Sequence, residues 1–161
     1  MNPFEDVLKF MQIGHPDKLA ERPRIPPEEI YELCESLIKE ELRELRRADV
    51  DEDLIEIADG IADLIWVLIC KALCYGIPIE KVWAEVAKTN MAKFPGGVVI
   101  RRPEDGKILK PPGWAPPDIY KIILDARGKC PTPDCDNPGD GNSPTGHCPE
   151  CVEDASLEPE E

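Results

Sequence analysis

The sequence predicts an all-α fold: an antiparallel helical bundle completed by oligomerisation, with an extended arm and a small cysteine-bearing C-terminal segment. Three observations carry this. Eighteen prolines are spread unevenly over the 161 residues, with five before residue 28, five between 103 and 117 and six from 131 onward, whereas 28–94 contains only Pro78. Proline breaks helices, so that middle stretch is the helical one. Within it apolar residues recur at helical spacing, and four of the seven cysteines lie together beyond residue 129.

The elements follow in order. Pro3 to Ile13 is a short helical candidate, followed by a proline-rich connection. Pro26-Pro27 suit a helix entry, and Glu28 and Glu29 sit favourably at the positive end of a helix running to about Ala48. Asp51 is the expected N-cap of a second helix reaching Tyr75, with Gly76 as its stop. Pro78 opens a third that continues to about Phe94. Pro95 to Pro117 reads as an extended arm with one hairpin from Val98 to Lys110, turning at Asp105-Gly106, and a last short helix spans Asp118 to Ala126. The expected organisation is a helical domain over 1–127, with core helices over 28–94 and the arm over 95–117. A metal-knuckle-like segment at 128–152 and an acidic disordered tail at 153–161 complete it.

Charge excludes one class of partner. With 33 acidic against 19 basic residues the net charge is −14, which repels phosphate backbones and disfavours nucleic acid. Residues 129–161 hold nine acids against one lysine, so more than half of that charge belongs to the tail. No apolar run reaches the ~18 residues of a membrane span, and the start MNPFEDVLKF has no signal-peptide progression. The expectation is a cytoplasmic protein without a membrane partner.

The first long helix carries two misplaced acids. Ile30, Leu33, Cys34, Leu37 and Ala48 form one stripe on a helical wheel, and Glu41 and Glu44 fall inside it. On the second helix the expected core stripe is Leu54, Ile57, Ala58, Ile61, Leu64, Ile65, Leu68 and Ala72, with Glu56, Asp59 and Asp63 together on another face. That acidic face continues as Trp66, Val67, Cys70 and Cys74, so the acids should look into protein or a cleft. Carboxylates converging from two helices need a counter-charge, and an oxygen-only donor set selects Mg²⁺ or Mn²⁺ over Zn²⁺. The alternative is that Glu41 and Glu44 pair with Arg or Lys of another helix or subunit. On the third helix Asn90 and Lys93 share the arc of Ile79, Val82, Trp83 and Val86. They suit the anionic part of a ligand, unless Lys93 only snorkels past the helix end.

The C-terminal segment makes a different argument. Cys130-PTPD-Cys135 and Cys148-PE-Cys151, separated by twelve residues, have the spacing of a tetrahedral Zn²⁺ site, with His147 able to replace one cysteine. Between the pairs there is almost nothing apolar, so metal rather than a core would order the segment. Two disulfides, or a tail with incidental cysteines, are the alternatives, and a reducing compartment argues against the first.

The ExxE pair Glu41 and Glu44 in EELRE, followed by the ExxD pair Glu56 and Asp59 in EIADGIADLIWV, resembles the all-α nucleoside triphosphate pyrophosphohydrolases. This MazG-like group includes dimeric dUTPases and phosphoribosyl-ATP pyrophosphohydrolases. The stretches KFMQIGHP, YGIPIEKVWAEVAKTNMAKFPGG and EDGKILKPPGWAPPDI are similar to the phosphoribosyl-ATP-pyrophosphohydrolase-like branch, found in bacteria and phages. The resemblance covers residues 5–120. It implies Glu41, Glu44, Glu56 and Asp59 as Mg²⁺ ligands, Glu40 and Asp63 as helpers, and Glu41 or Glu44 as the base. Asn90 and Lys93 would contact phosphate or sugar, and Lys107 and Lys110 would close over the triphosphate. It also implies a homodimer or homotetramer, which agrees with a second helix apolar on two faces.

The activity expected from this is Mg²⁺-dependent hydrolysis of a nucleoside or deoxynucleoside triphosphate between the α and β phosphates. The alternatives are the same fold acting on phosphoribosyl-ATP or an alarmone, and a non-catalytic protein whose zinc segment docks a partner. Phe10, His15, Trp66 and Trp83 are candidate base contacts, with core packing the favoured role of the tryptophans. The zinc segment is absent from the family pattern.

Overall fold

A two-residue turn decides the architecture. The computed structural model describes residues 2–129, 135, 137–139 and 148–149. Helix α2 (Glu28–Asp51) is followed after only Glu52 and Asp53 by α3 (Leu54–Cys74), so the two must run antiparallel side by side. Glu52 takes the left-handed conformation at φ 53° and ends α2, with the amide of Asp53 donating to the carbonyl of Ala48 at 3.1 Å. Asp53 then caps α3, its Oδ1 accepting from the amides of Ile55 at 3.0 Å and Glu56 at 3.3 Å. The cap is therefore Asp53 rather than Asp51, because α2 runs three residues past Ala48 before the chain can reverse.

The other elements match the expected order. Helix α1 (Pro3–Gly14) is capped by Asn2, whose Oδ1 accepts from the Phe4 amide and whose Nδ2 donates to Glu80 on α4 (Ile79–Met91). Helix α4 stops at Met91, three residues short of expectation, and the chain passes through turns to a 3₁₀ turn at Pro95–Gly97. The arm contains the expected hairpin in minimal form. Arg101 and Ile108 make one antiparallel bridge around a turn at Gly106, and no longer strand forms among the described residues. Asp118 caps α5 (Ile119–Arg127).

The core sits where α1 crosses the start of α2 and the end of α3. Val7, Met11, Cys34, Ile69 and Cys74 are buried there, with Phe4, Leu19, Ile30, Leu73 and Tyr75 against them. Burial, with Cys34 and Cys70 nearby, pushes the Cys74 thiol up to about 12, so it stays protonated at neutral pH. Behind this core the 3₁₀ turn at Pro16–Lys18 and the segment after it strap the end of α3. The amide of Ala20 donates to the Leu73 carbonyl at 3.2 Å and that of Arg24 to the Tyr75 carbonyl at 3.0 Å. Gly76, at φ +64°, passes under this strap.

Lys71 on α3 reaches Glu35 on α2 at 2.5 Å, between the rings of Tyr31 and Tyr75. The hydrogen bond from Lys71 holds the Glu35 carboxyl below its ordinary 4.5. A depressed carboxyl stabilises the fold above that ordinary value and loses its contribution as pH falls through the depressed one. The difference in melting temperature between the wild type and Glu35→Gln should therefore shrink on acidification below 4.5 and vanish at lower pH. A difference that grows with acid would disprove the pairing.

One expected face is wrong. Leu54, Ile61, Ile65 and Leu68, assigned to the core stripe of α3, are 47–76 % exposed. The helix is apolar nearly all round, so periodicity could not say which side meets α2. Gly60 decides it, because the helix without a side chain at that point lets Leu45 approach. The tryptophans are likewise not core residues: Trp66, edge-on to Phe10 at 5.5 Å, and Trp83, tilted against Phe4, both remain exposed. Among the described residues no helix is long and apolar enough to cross a membrane. Cys130, His147, Cys151 and the tail over 153–161 lie outside the described residues.

Candidate active site

The turn end of the α2–α3 pair encloses a basin of about 270 Å³. From α2 it receives Glu44, Arg47, Ala48 and Asp51, and from the cap and α3 Asp53, Glu56, Asp59, Gly60 and Asp63. Helical spacing explains the set, since Glu44, Arg47 and Asp51 recur every three to four residues, as do Glu56, Asp59 and Asp63. Six carboxylates thus face one guanidinium, and Arg47 Nε already lies 3.5 Å from Asp51.

Glu41 stands beside this basin, half-buried in the α2 stripe that continues as Cys34, Leu37, Leu45 and Ala48. Its carboxyl is pushed up, first by burial and then by the negative charges of Asp63, Glu44, Glu40 and Asp59. Those causes put all five side chains in one electrostatic neighbourhood. Glu44, Glu56, Asp59 and Asp63 are exposed, so the site is an open, wet groove in the single chain rather than a dry cleft. The reason is that only α2 borders α3 here, while α1 covers its other half.

Among the described residues none of Glu41, Glu44, Glu56, Asp59 or Asp63 forms an ion pair. No three Asp, Glu, His or Cys side chains among the described residues are close enough together to hold a metal ion as they stand. The donor chemistry nevertheless fits a hard cation, which takes carboxylate oxygens plus water rather than a closed protein cage. Arg47, Asp51 and Asp53 were not expected at the site from the sequence; the i, i+3 and i+7 continuation of Glu44 would have found the first two.

The substrate-contact candidates form a second group. Lys93 Nζ donates to Asn90 Oδ1 at 2.7 Å and lies 5.8 Å from the Trp114 ring centre, over which Lys110 Nζ stands at 4.0 Å. Trp114 is fixed by its Nε1 donating to the Thr89 carbonyl at 2.8 Å. Asn90, Lys93 and Lys110 are thus brought together. Lys107 is not among them: it lies exposed at the hairpin, its amide donating to Asp105. None of the four lines the acidic basin.

Gly60 sits between Asp59 and Asp63 and against the α2 backbone, where an added Cβ would come within 3.2 Å of Leu45 Cα and Cβ. In Gly60→Ala the gain of about 1 kcal/mol in helix propensity opposes this contact, so stability should change little. Gly60→Val adds more bulk with less of that compensation and should cost about 1–3 kcal/mol in thermal or urea melts. A valine variant as stable as the wild type would show that the helices are not in contact there.

A family model described as phosphoribosyl-ATP pyrophosphohydrolase matches residues 10–90, which include α2, α3 and every carboxylate of the basin. A comparison with curated proteins gives no significant match.

Proposed function

Because the chain belongs to the phosphoribosyl-ATP pyrophosphohydrolase family, and so is a hydrolase acting on a phosphate anhydride of a nucleotide, we propose that its basin cleaves the α–β anhydride of phosphoribosyl-ATP. The products would be phosphoribosyl-AMP and pyrophosphate. The family match favours this substrate over the plain nucleoside triphosphate expected from the acidic motifs, and an enzyme over a degenerate scaffold. The observation that carries the reading is that Glu44, Glu56 and Asp59 line one basin with Glu41 beside it, none of them ion-paired among the described residues.

Glu41, Glu44, Glu56 and Asp59 would hold Mg²⁺ or Mn²⁺, with Glu40 and Asp63 at their margin. When bound, such ions screen the phosphate oxygens and make water more acidic. The chain's own work is to orient the anhydride and take a proton. Glu41 suits the second task, since burial and neighbouring acids make its carboxylate a stronger base than its exposed companions. Asn90, Lys93 and Lys110 would grip the phosphates, and Lys107 would join them from the hairpin. The exposed stripe Leu54, Ile61, Ile65 and Leu68 supports a homodimer or homotetramer in which a second copy covers α3 and closes the open groove.

The test is incubation of the purified chain and Mg²⁺ with phosphoribosyl-ATP, the common nucleoside and deoxynucleoside triphosphates, and an alarmone, with products separated by anion exchange. Pyrophosphate and a monophosphate from phosphoribosyl-ATP above all others are expected. Orthophosphate instead, or faster turnover of another substrate, would overturn the assignment.

A further inference from the structure

We propose that Cys135 and Cys148 are two thiolate ligands of a structural zinc ion, a site separate from the acidic basin, for which the sequence offers Cys130 and Cys151 as the further thiols. The first observation is a distance: the two Sγ atoms lie 3.7 Å apart. A tetrahedron with Zn–S bonds of about 2.3 Å has sulfur–sulfur edges of about 3.8 Å. A disulfide would need about 2.05 Å, so the thiols are placed as co-ligands and not as a bonded pair.

The second observation is burial without a core. Cys148 is 2 % exposed, yet apart from two prolines the residues from Asp136 to His147 are polar or glycine. Hydrophobic packing by that segment therefore does not explain its position, whereas a shared ion does. Asn137 adds a third observation, since its Nδ2 donates to Cys148 Sγ at 3.8 Å. Amide donors on ligating sulfur spread the thiolate charge and orient the ligand.

The backbone supports the same geometry. Lys129 and Pro138 form an antiparallel bridge, and the amide of Gly139 donates to the Gly128 carbonyl at 3.0 Å. These contacts hold residues 128–129 beside 138–139, which lie three residues and more beyond Cys135. The sequence supplies the second pair member three residues after Cys148, as Cys151. Four soft sulfur donors and no carboxylate in the set select zinc over the hard cation of the basin. Binding converts thiols to thiolates and releases their protons to solvent, with no change of oxidation state.

The full-length chain, purified without chelator, should contain close to one zinc per chain by elemental mass spectrometry. Titration with an organomercurial in the presence of a chromogenic chelator should release it as the thiols are modified. Replacement with Co²⁺ should give an intense thiolate-to-metal absorption band in the near ultraviolet, a readout that needs no variant to fold. Cys135→Ser and Cys148→Ser should lose zinc, while Cys70→Ser in the helical core should keep it. Iron in place of zinc, a zinc-free chain whose mass shows disulfides, or zinc retained in Cys148→Ser would each overturn the proposal. None of these readouts depends on which nucleotide is cleaved.

Discussion

Glu44→Gln and Asp59→Asn are each expected to lower kcat on the order of 10²- to 10⁴-fold, the range for losing a positioned carboxylate from a metal-assisted hydrolysis. The argument is electrostatic. Both residues line a basin with six carboxylates and one guanidinium, and neither has a cationic partner among the described residues. Like charges held together disfavour the fold, so neutralising one should leave the melting temperature in chelator unchanged or raised. Added Mg²⁺ should do the opposite in the two proteins. It should stabilise the wild type, by about 2.7 kcal/mol at a hundredfold excess over its Kd, and stabilise the variants much less. Pyrophosphate release and thermal melts measured on the same samples separate the two effects. A variant that keeps full activity would remove the basin from the chemistry.

Gly76→Ala is expected to cost about 2–5 kcal/mol, the sum of a left-handed backbone penalty and a steric one. At this chain length that corresponds to a fall in melting temperature of roughly 5–15 °C. An added Cβ would lie 2.2 Å from the Arg22 carbonyl oxygen and 2.4 Å from its carbon, both of them backbone atoms of the strap. Gly106→Ala is the internal control, since Gly106 has a similar φ of +71° but nothing within 4 Å. It should show only the conformational part, about 1–2 kcal/mol. Equal losses in the two variants would mean that the strap over α3 yields without cost.

How much of this was legible depended on which signal each residue carried. The helices were readable because proline punctuation and caps are local, and α1, α2, α3 and α5 fall within about three residues of their expected bounds. The cap moved from Asp51 to Asp53 because both are good caps, and only the left-handed Glu52 settles where the chain turns. Glu41 was readable as an acid on an inner stripe, and the structure keeps it half-buried. The buried face of α3 was not readable, since Leu54, Ile61, Ile65 and Leu68 are as apolar as the residues that meet α2. What distinguishes them is a missing side chain at Gly60, and a hydrophobic pattern does not weigh absences. The grouping of Lys93 and Lys110 around Trp114 was equally hidden, because an arm beyond residue 95 brings the second lysine back over α4.

The contact at Gly60 has a meaning beyond packing. It is the pivot about which two rows of charge face one another, with Asp59 beside it and Asp63 one turn on, while Leu45 opposite is the immediate neighbour of Glu44. Interhelical spacing and oxygen-to-oxygen spacing are therefore one mechanical variable. Any residue that wedges these helices apart also changes the gap that the acids span, even if the wedge itself carries no charge and never touches a ligand. Selection on the reaction and selection on the fold act at this position through a single degree of freedom.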